Sequence, residues 1–256
     1  MLVVISPAKK LDWGPVPDLP LTDPAFADQA VALAAEARKL KAAGLKTLMG
    51  ISDSLAELNR DRFAAFSATP EAAVLRPAIF GFAGDTYAGF EAKTLDPDAL
   101  IWAQDHLRIL SGLYGLLRPL DRIQQYRLEM GSRLATPRGK SLYDWWGDSL
   151  AETLTAEGRA RGTDTVVNCA SVEYFTALDR PALGLRVITP VFMEERAGKR
   201  AIVSFWAKRA RGAMARFIVE NRLTDPDALC DFDAGGYRFD AEASEGDRRV
   251  FVRRAE

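Results

Sequence analysis

The chain has 256 residues, 48% of them hydrophobic and 27% charged, which predicts one globular domain with a sizeable core. Its 34 basic and 35 acidic side chains almost cancel, so any polyanion must bind a local basic patch rather than the protein's overall field. One histidine and two separated cysteines, Cys169 and Cys230, argue against a zinc site and a disulfide framework, while a hard-ion site of carboxylates stays open. We expect no cofactor. We do not expect the short apolar start, which precedes the first basic residues, to be a secretion signal, and no apolar run approaches the ~20 residues of a membrane span. We therefore expect a cytoplasmic protein.

The first half of the chain predicts one buried strand followed by helices. The strand is Leu2–Ile5, and helices are predicted over 24–43, 51–63 and 95–110. Asp23 is the expected N-cap of the first helix, with Gly44 as its stop. Ser52 or Asp53 is expected to cap the second helix. Asp96 should cap the third, with Pro97 at its first position.

The second half predicts strands, one long helix and an acidic end. Strands are expected over 164–171, 185–192 and 199–205, with the last two forming a hairpin, and short β pieces over 236–239 and 249–253. The helix covers 204–222. Helices and strands do not alternate regularly, so we predict a single α+β domain over 1–256, of unusual topology, with a mixed central sheet flanked by helices.

A cluster of cations marks the predicted helix over 204–222. Lys208, Arg209, Arg211 and Arg216 fall opposite its apolar face on a helical wheel. Gly212 lies among them, and a glycine inside a helix costs about 1 kcal/mol relative to alanine. A bare backbone among cations would let a phosphate approach closely, and arginine offers forked donors to its oxygens. The alternative is a solvated face that forms ion pairs with the acidic C-terminal region.

The segment "HLRILSGLYGLLRPLDRIQQYRLEMG" (106–131) resembles a helix-hairpin-helix element, which we assign to about 97–122. In such elements a glycine turn offers backbone N–H groups to a DNA phosphate without reading bases. Gly112 and Gly115 are separated by two residues here, whereas one residue is usual in that motif. The alternative is a tight connector between two packed elements.

Seven blocks between Ile5 and Ile218 resemble the bacterial peroxide-stress-resistance family of YaaA type, and the resemblance extends over nearly the whole chain, from Leu2 to Arg253. They are "ISPAKKLD", "MGISDSLAELN", "FGFAGDTYAGFEA", "LRILSGLYGLLRPLDRIQQYRLEMG", "LYDWWG", "VVNCASVEYF" and "SFWAKRARGAMARFI". The resemblance implies a cytoplasmic protein that helps cells survive hydrogen peroxide by keeping free iron low. It also implies an α+β fold with a helix-hairpin-helix element and a basic cleft that binds double-stranded DNA, including bent DNA.

Carried onto this chain, the resemblance implies a set of DNA contacts. The hairpin contacts are Ser111, Gly112, Leu113, Tyr114 and Gly115, and the cleft cations are Lys9, Arg108, Arg118, Arg127, Lys208, Arg209, Arg211 and Arg216. Lys10 and Cys169 depart from the family pattern, and we expect both to lie off the contact face. Few of these residues suit base edges, so we predict little sequence preference and a steep dependence on salt. We expect a monomer.

A second group of polar residues keeps an enzymatic alternative open, although we favour binding over catalysis. The candidate pocket residues are Ser6, Asp85, Tyr87, Asn168, Ser171 and Glu173, which follow predicted strands or glycine turns. With Lys208 they would grip a small nucleotide or one flipped base and perform acid–base chemistry on it. Ser6 and Lys9 also have the S-x-x-K spacing of Ser-Lys acyl enzymes, without the partner K-T-G motif. The structural alternative is capping and turn formation.

Overall fold

The computed structural model describes residues 1–254. Its strands are β1 (Leu2–Ile5), β2 (Lys10–Leu11), β3 (Arg76–Pro77), β4 (Phe82–Ala83), β5 (Leu107–Ser111), β6 (Gly115–Leu117), β7 (Arg122–Ile123), β8 (Thr165–Cys169), β9 (Arg186–Arg196), β10 (Lys199–Ala201), β11 (Arg238–Glu245) and β12 (Arg248–Arg254). Its α-helices are α1 (Ala27–Arg38), α2 (Ala42–Met49), α3 (Asp53–Ala65), α4 (Ala78–Gly81), α5 (Asp85–Phe90), α6 (Pro97–His106), α7 (Leu142–Trp146), α8 (Ser149–Ala160), α9 (Val172–Phe175) and α10 (Ser204–Glu220). Short 3-10 turns cover Ala72–Val74, Ala92–Thr94, Pro226–Asp231 and Ala234–Gly236.

A mixed central sheet organises the fold, with strand order β11-β12-β9-β8-β1-β5-β6 and β10 paired to β9. The strands from β12 through β5 run parallel, while β11, β6 and β10 are antiparallel to their neighbours. The central strand β1 is buried along its whole length, as its continuous apolar sequence predicts for a parallel strand covered on both faces. The predicted α+β class with helices around a mixed sheet is confirmed.

Several local predictions are confirmed at the level of caps. Ser52 accepts a hydrogen bond from the Leu55 N–H at the start of α3, and Asp96 accepts one from the Asp98 N–H at the start of α6. The helix predicted over 24–43 is wrong at both ends: the N-cap of α1 is Phe26 rather than Asp23, and α1 ends at Arg38, before a separate α2. Gly44 lies inside α2, so it stops no helix.

The predicted helix-hairpin-helix element is also wrong. Helix α6 ends at His106, and the following residues form the buried antiparallel hairpin of β5 and β6, with Ser111 paired to Gly115. The run Leu107–Leu110 suits a buried strand as well as a helix, and parallel pairing of β5 with β1 decides for the strand.

Helix α10 is the element that brings the site together. It packs across β1, β8 and β9 and against α5. Gly212 of α10 contacts α5 so closely that an added Cβ would lie 1.8 Å from the Thr86 carbonyl oxygen. Gly89 of α5 contacts α10 in the same way: a Cβ added to Gly89 would lie 2.0 Å from the Arg209 carbonyl oxygen. These two glycines allow the backbones of the two helices to touch.

Candidate functional site

The candidate site lies where the order of strands in the sheet changes direction. Strand β1 lies beside β8, with Ile5 opposite Cys169 at their carboxyl ends. The chain leaves β1 for β5 on one side, whereas it leaves β8 for β9 on the other. In open parallel sheets such a switch leaves a crevice at the carboxyl ends of the two strands, and ligands bind there.

Hydrogen bonds between the two strand ends fix the floor of this crevice. Ser6 follows β1 and Ser171 follows β8. The Ser171 N–H donates to Ser6 Oγ at 2.9 Å, and the Ser6 hydroxyl donates to Ser171 Oγ at 3.3 Å. The buried Tyr87 hydroxyl donates to the Ser6 carbonyl at 3.2 Å. Burial raises the pKa of Tyr87 well above its usual value, so the phenol stays a neutral donor.

Above this floor opens a cavity of about 390 Å³, which we call the switch cleft. Its charged lining residues are Lys9, Lys10, Asp85, Glu173, Lys208 and Arg211. Asp85 begins α5, Glu173 lies in α9, and Lys208 and Arg211 lie three residues apart on one face of α10. Residues distant in sequence therefore place four cations and two carboxylates around one cavity.

Three of the four cations have no ion pair in the described part of the chain. Within residues 1–254, Lys10, Lys208 and Arg211 form none, and Lys9 approaches Glu129 at 3.5 Å while its side chain remains 67% exposed. Burial lowers the pKa of the Arg211 guanidinium, which lies beside Cys169 rather than beside a carboxylate. Arginine keeps its proton throughout the physiological range. The cleft lining therefore holds more cations than carboxylates, and a bound anion would neutralise the excess positive charge.

The predicted pocket residues divide into those that line the cleft and those behind it. Ser6, Asp85, Ser171 and Glu173 line it together with Lys208. Asn168 does not line it, and its side-chain oxygen accepts a hydrogen bond from the Ala170 N–H at 3.0 Å. Tyr87 also lies behind, where it supports Ser6. The structure thus brings four of the predicted pocket residues to one cavity, while Asn168 and Tyr87 stabilise the adjacent turns.

The predicted hairpin contacts do not form a phosphate site, because all five residues are buried. Ser111 Oγ hydrogen-bonds the Tyr126 hydroxyl at 2.6 Å and accepts from the Tyr114 N–H at 2.8 Å. The Gly112 carbonyl accepts a hydrogen bond from the Trp146 ring, and Leu113 is fully buried. Gly115 has φ near +70°, which closes the turn between β5 and β6. These residues belong to the core.

Several predicted cleft cations are framework residues. Arg108 is 1% exposed and donates to Glu157 at 2.7 Å and to two backbone carbonyls. Arg118 pairs with the buried Asp121 at 3.0 Å, and Arg127 pairs with Glu129 at 2.9 Å. Each of these three guanidinium groups has a carboxylate partner within the protein, although Nη2 of Arg108 is buried without a hydrogen-bond partner among residues 1–254. The predicted single trough that includes them is therefore wrong.

The other predicted contact residues of α10 do not line the switch cleft. Arg216 donates to the backbone carbonyls of Phe90 and Glu91 and pairs with Glu220, so it anchors α10 to the end of α5. Arg209 is exposed but lines a different groove, beside Trp206. Gly212 is buried at the crossing of α5 and α10 and offers no backbone to a phosphate.

Lys10 also lines the switch cleft, although the sequence did not mark it as a site residue. We expected it off the contact face, yet it lines the cleft beside Lys9. The pairing of β2 with β4 opposes Lys10 to Ala83 and so brings it to the same edge as Asp85. The signal available in sequence was only its adjacency to Lys9.

The free cysteine nearest the cleft is Cys169. Burial raises the pKa of its thiol to about 12, so the reactive thiolate is scarce at neutral pH.

Within residues 1–254 no group of three or more His, Cys, Asp or Glu side chains is arranged to hold a metal ion. None of the helices described is long and apolar enough to cross a bilayer.

Comparison with known proteins identifies the family. The family model described as peroxide stress protein YaaA matches residues 1–243. The chain belongs to this family. A UPF0246 protein of Ruegeria pomeroyi is 63% identical over 253 residues, a match that covers 99% of this chain and 98% of the relative. UPF0246 proteins of Roseobacter denitrificans and Cereibacter sphaeroides are 59% and 61% identical, each over 99% of this chain and at least 98% of their own length.

Proposed function

We propose that this member of the peroxide stress family binds the phosphate backbone of double-stranded DNA, including bent DNA, at the switch cleft, and does so in the cytoplasm as a monomer. The observation that carries the proposal is the convergence of Lys10, Lys208 and Arg211, three cations without ion pairs among residues 1–254. Lys9 adds a fourth charge at the rim. A folded protein with a net charge near zero keeps such a cluster at a cost in self-repulsion, which a bound polyanion removes.

The chemistry of these side chains favours contact with phosphates rather than with bases. Lysine ammonium groups are flexible point charges and carry no directional pattern for a base edge. Phosphate contacts position a protein on DNA but read no sequence. We therefore expect duplexes of unrelated sequence to bind within about twofold of one another.

The same electrostatics connect DNA binding with protection from peroxide. A duplex collects cations around its phosphates, and a protein that neutralises phosphates releases them. Ferrous iron is among the cations that condense on DNA, and it converts peroxide to hydroxyl radical where it is bound. Lysine and arginine side chains on the backbone would move that chemistry away from the DNA and so limit iron-driven damage.

Fluorescence anisotropy with a labelled duplex at two salt concentrations tests the proposal. With about four phosphate contacts, raising the salt from about 50 to 200 mM should weaken binding roughly a hundredfold. The double variant Lys208→Gln/Arg211→Gln should reduce the slope of log affinity against log salt by about two. Lys41→Gln is the matched control, since Lys41 is exposed and lies outside the cleft. An unchanged slope in the double variant would refute the proposal.

A further inference from the structure

Two carboxylates in the switch cleft have no role in backbone binding. Asp85 and Glu173 line the same cavity as the four cations. Within residues 1–254 the Asp85 side chain forms no hydrogen bond or ion pair, and the Glu173 carboxylate accepts only the Gly131 N–H, at 3.0 Å, through one of its two oxygens. A carboxylate that faces a phosphate repels it. A ligand for this cleft must therefore bring hydrogen-bond donors as well as negative charge.

We propose that the switch cleft binds a single nucleotide. Its phosphate contacts Lys10, Lys208 and Arg211, and the N–H groups of its base donate to Asp85 and Glu173. The phosphate contacts are those of the proposed function, so this inference rests on it and adds recognition of the base. A nucleotide is the class of ligand that joins a phosphate to a ring edge rich in N–H donors.

The place and size of the cleft agree with this ligand. Its volume of about 390 Å³ lies within the range of roughly 300–1,000 Å³ typical of small-molecule sites. It opens between β1 and β8 at the change of strand direction, where mononucleotides bind in open α/β sheets. Ser171 Oγ accepts the Ser6 proton, so its own proton remains free to donate to a phosphate or base carbonyl.

Carboxylate acceptors also determine which bases fit. Guanine presents an imino and an amino donor side by side and can satisfy one carboxylate with two hydrogen bonds. Adenine and cytosine each offer one amino group. Thymine presents one imino N–H between two carbonyl oxygens, which a carboxylate repels. The cleft should therefore prefer guanine and discriminate against thymine.

Calorimetric titration with dGMP, dTMP and inorganic phosphate tests this preference. We expect dGMP to bind at least about tenfold more tightly than dTMP, a difference of ~1.4 kcal/mol. The variant Asp85→Asn/Glu173→Gln should bring the two nucleotides within about twofold and leave phosphate binding intact or stronger. Lys208→Gln/Arg211→Gln should weaken all three. Equal affinities in the wild type, or a preference that survives the double carboxylate replacement, would overturn the inference.

The variants and the ligand source need separate controls. Thermal unfolding verifies that the carboxylate variant is folded. We expect it to be, because Glu173→Gln keeps a side-chain oxygen that can accept the Gly131 N–H.

To identify the source of the base, a duplex with one unpaired guanine is compared with the fully paired duplex. Tighter binding of the unpaired form, lost in the carboxylate variant, supports a base extruded from DNA. Equal binding of the two duplexes with selective dGMP binding supports a free nucleotide.

The outcomes also separate this inference from the DNA proposal. Selective dGMP binding by a protein whose duplex affinity does not depend on Lys208 and Arg211 would refute backbone binding and retain the nucleotide site. Salt-dependent duplex binding without discrimination between guanine and thymine, free or extruded, would refute the nucleotide site alone.

Discussion

The cations of the framework and those of the switch cleft differ in what surrounds them. Arg108 is almost fully buried and is paired with Glu157, and it also donates to two backbone carbonyls. Arg211 is half-buried without a carboxylate partner in residues 1–254. The sequence predicted the same role for both arginines. The structure shows that Arg108 stabilises the fold, whereas the charge of Arg211 remains available to a ligand. The position of a cation in a basic segment therefore says less about function than the acid beside it.

Helix α10 contains both paired and unpaired cations within the nine residues from Lys208 to Arg216. Lys208 and Arg211 face the cleft, whereas Arg216 joins Glu220 and the end of α5. The buried Gly212 between them brings α10 against α5. Replacing an unpaired cleft cation should therefore change stability in the opposite direction from replacing a paired framework cation. The predictions below begin with the packing of α10 and end with the single histidine.

The largest effect is expected where α5 and α10 touch. Gly212→Ala would put a methyl group 1.8 Å from the Thr86 carbonyl oxygen, so the helices must separate. We expect the free energy of unfolding to fall by about 3 kcal/mol or more, measured by urea titration. Gly44→Ala is the control, because its Cβ would meet only Leu40 at 3.4 Å. That change should stabilise the protein by roughly 0.5–1 kcal/mol. Equal effects of the two changes would contradict the close crossing.

The second effect concerns the framework arginine. Arg108→Gln removes the partner of Glu157 and leaves two backbone carbonyls without their donor. We expect a loss of about 3 kcal/mol in unfolding free energy. Duplex affinity per folded molecule should stay unchanged, which anisotropy at a temperature well below the unfolding midpoint will measure. If the folded Arg108→Gln protein bound DNA more weakly than the wild type, Arg108 would have to contribute to DNA binding.

A smaller effect of opposite sign is expected in the cleft. Arg211→Met keeps an apolar stem and removes a desolvated charge that has no acidic partner, so stability should rise by about 1 kcal/mol. Arg216→Met, on the same helix, should lower stability because Glu220 and the α5 carbonyls lose their donor. Thermal unfolding of both variants measures the contrast. A loss of stability in Arg211→Met would show that the charge is compensated within the fold.

The smallest effect is a dependence on pH from the single histidine. His106 stacks on Trp102 with ring centroids 3.7 Å apart, and burial lowers its pKa below the usual 6.5. The unfolded chain therefore binds a proton more readily. The contribution of His106 to the free energy of unfolding is therefore fully present above about pH 6.5, and it is lost as the pH falls through the lowered pKa of the folded state. The difference in unfolding midpoint between pH 7.5 and 5.5 should shrink in His106→Phe. An undiminished difference would assign the dependence to other groups.

The sequence by itself determined the elements whose causes are local. The apolar run Leu2–Ile5 forms a strand, Ser52 and Asp96 cap helices, and the stretch from Ser204 forms α10, because side-chain hydration and capping act within a few residues. The seven motif blocks also identified the family. Ser6, Asp85, Ser171 and Glu173 were found as candidates because each follows a strand end or glycine turn.

Tertiary structure alone decided which of these residues act together. Pairing with β1 turned Leu107–Ser111 into a strand, and contact with Thr86 gave Gly212 a packing role. The cleft exists because β1 and β8 are neighbours whose chains leave in opposite directions, and no residue near either strand encodes that order. Charge compensation depends in the same way on distant partners such as Glu157 for Arg108. Local propensities act over a few residues, whereas strand order and ion pairing arise from contacts across the whole chain.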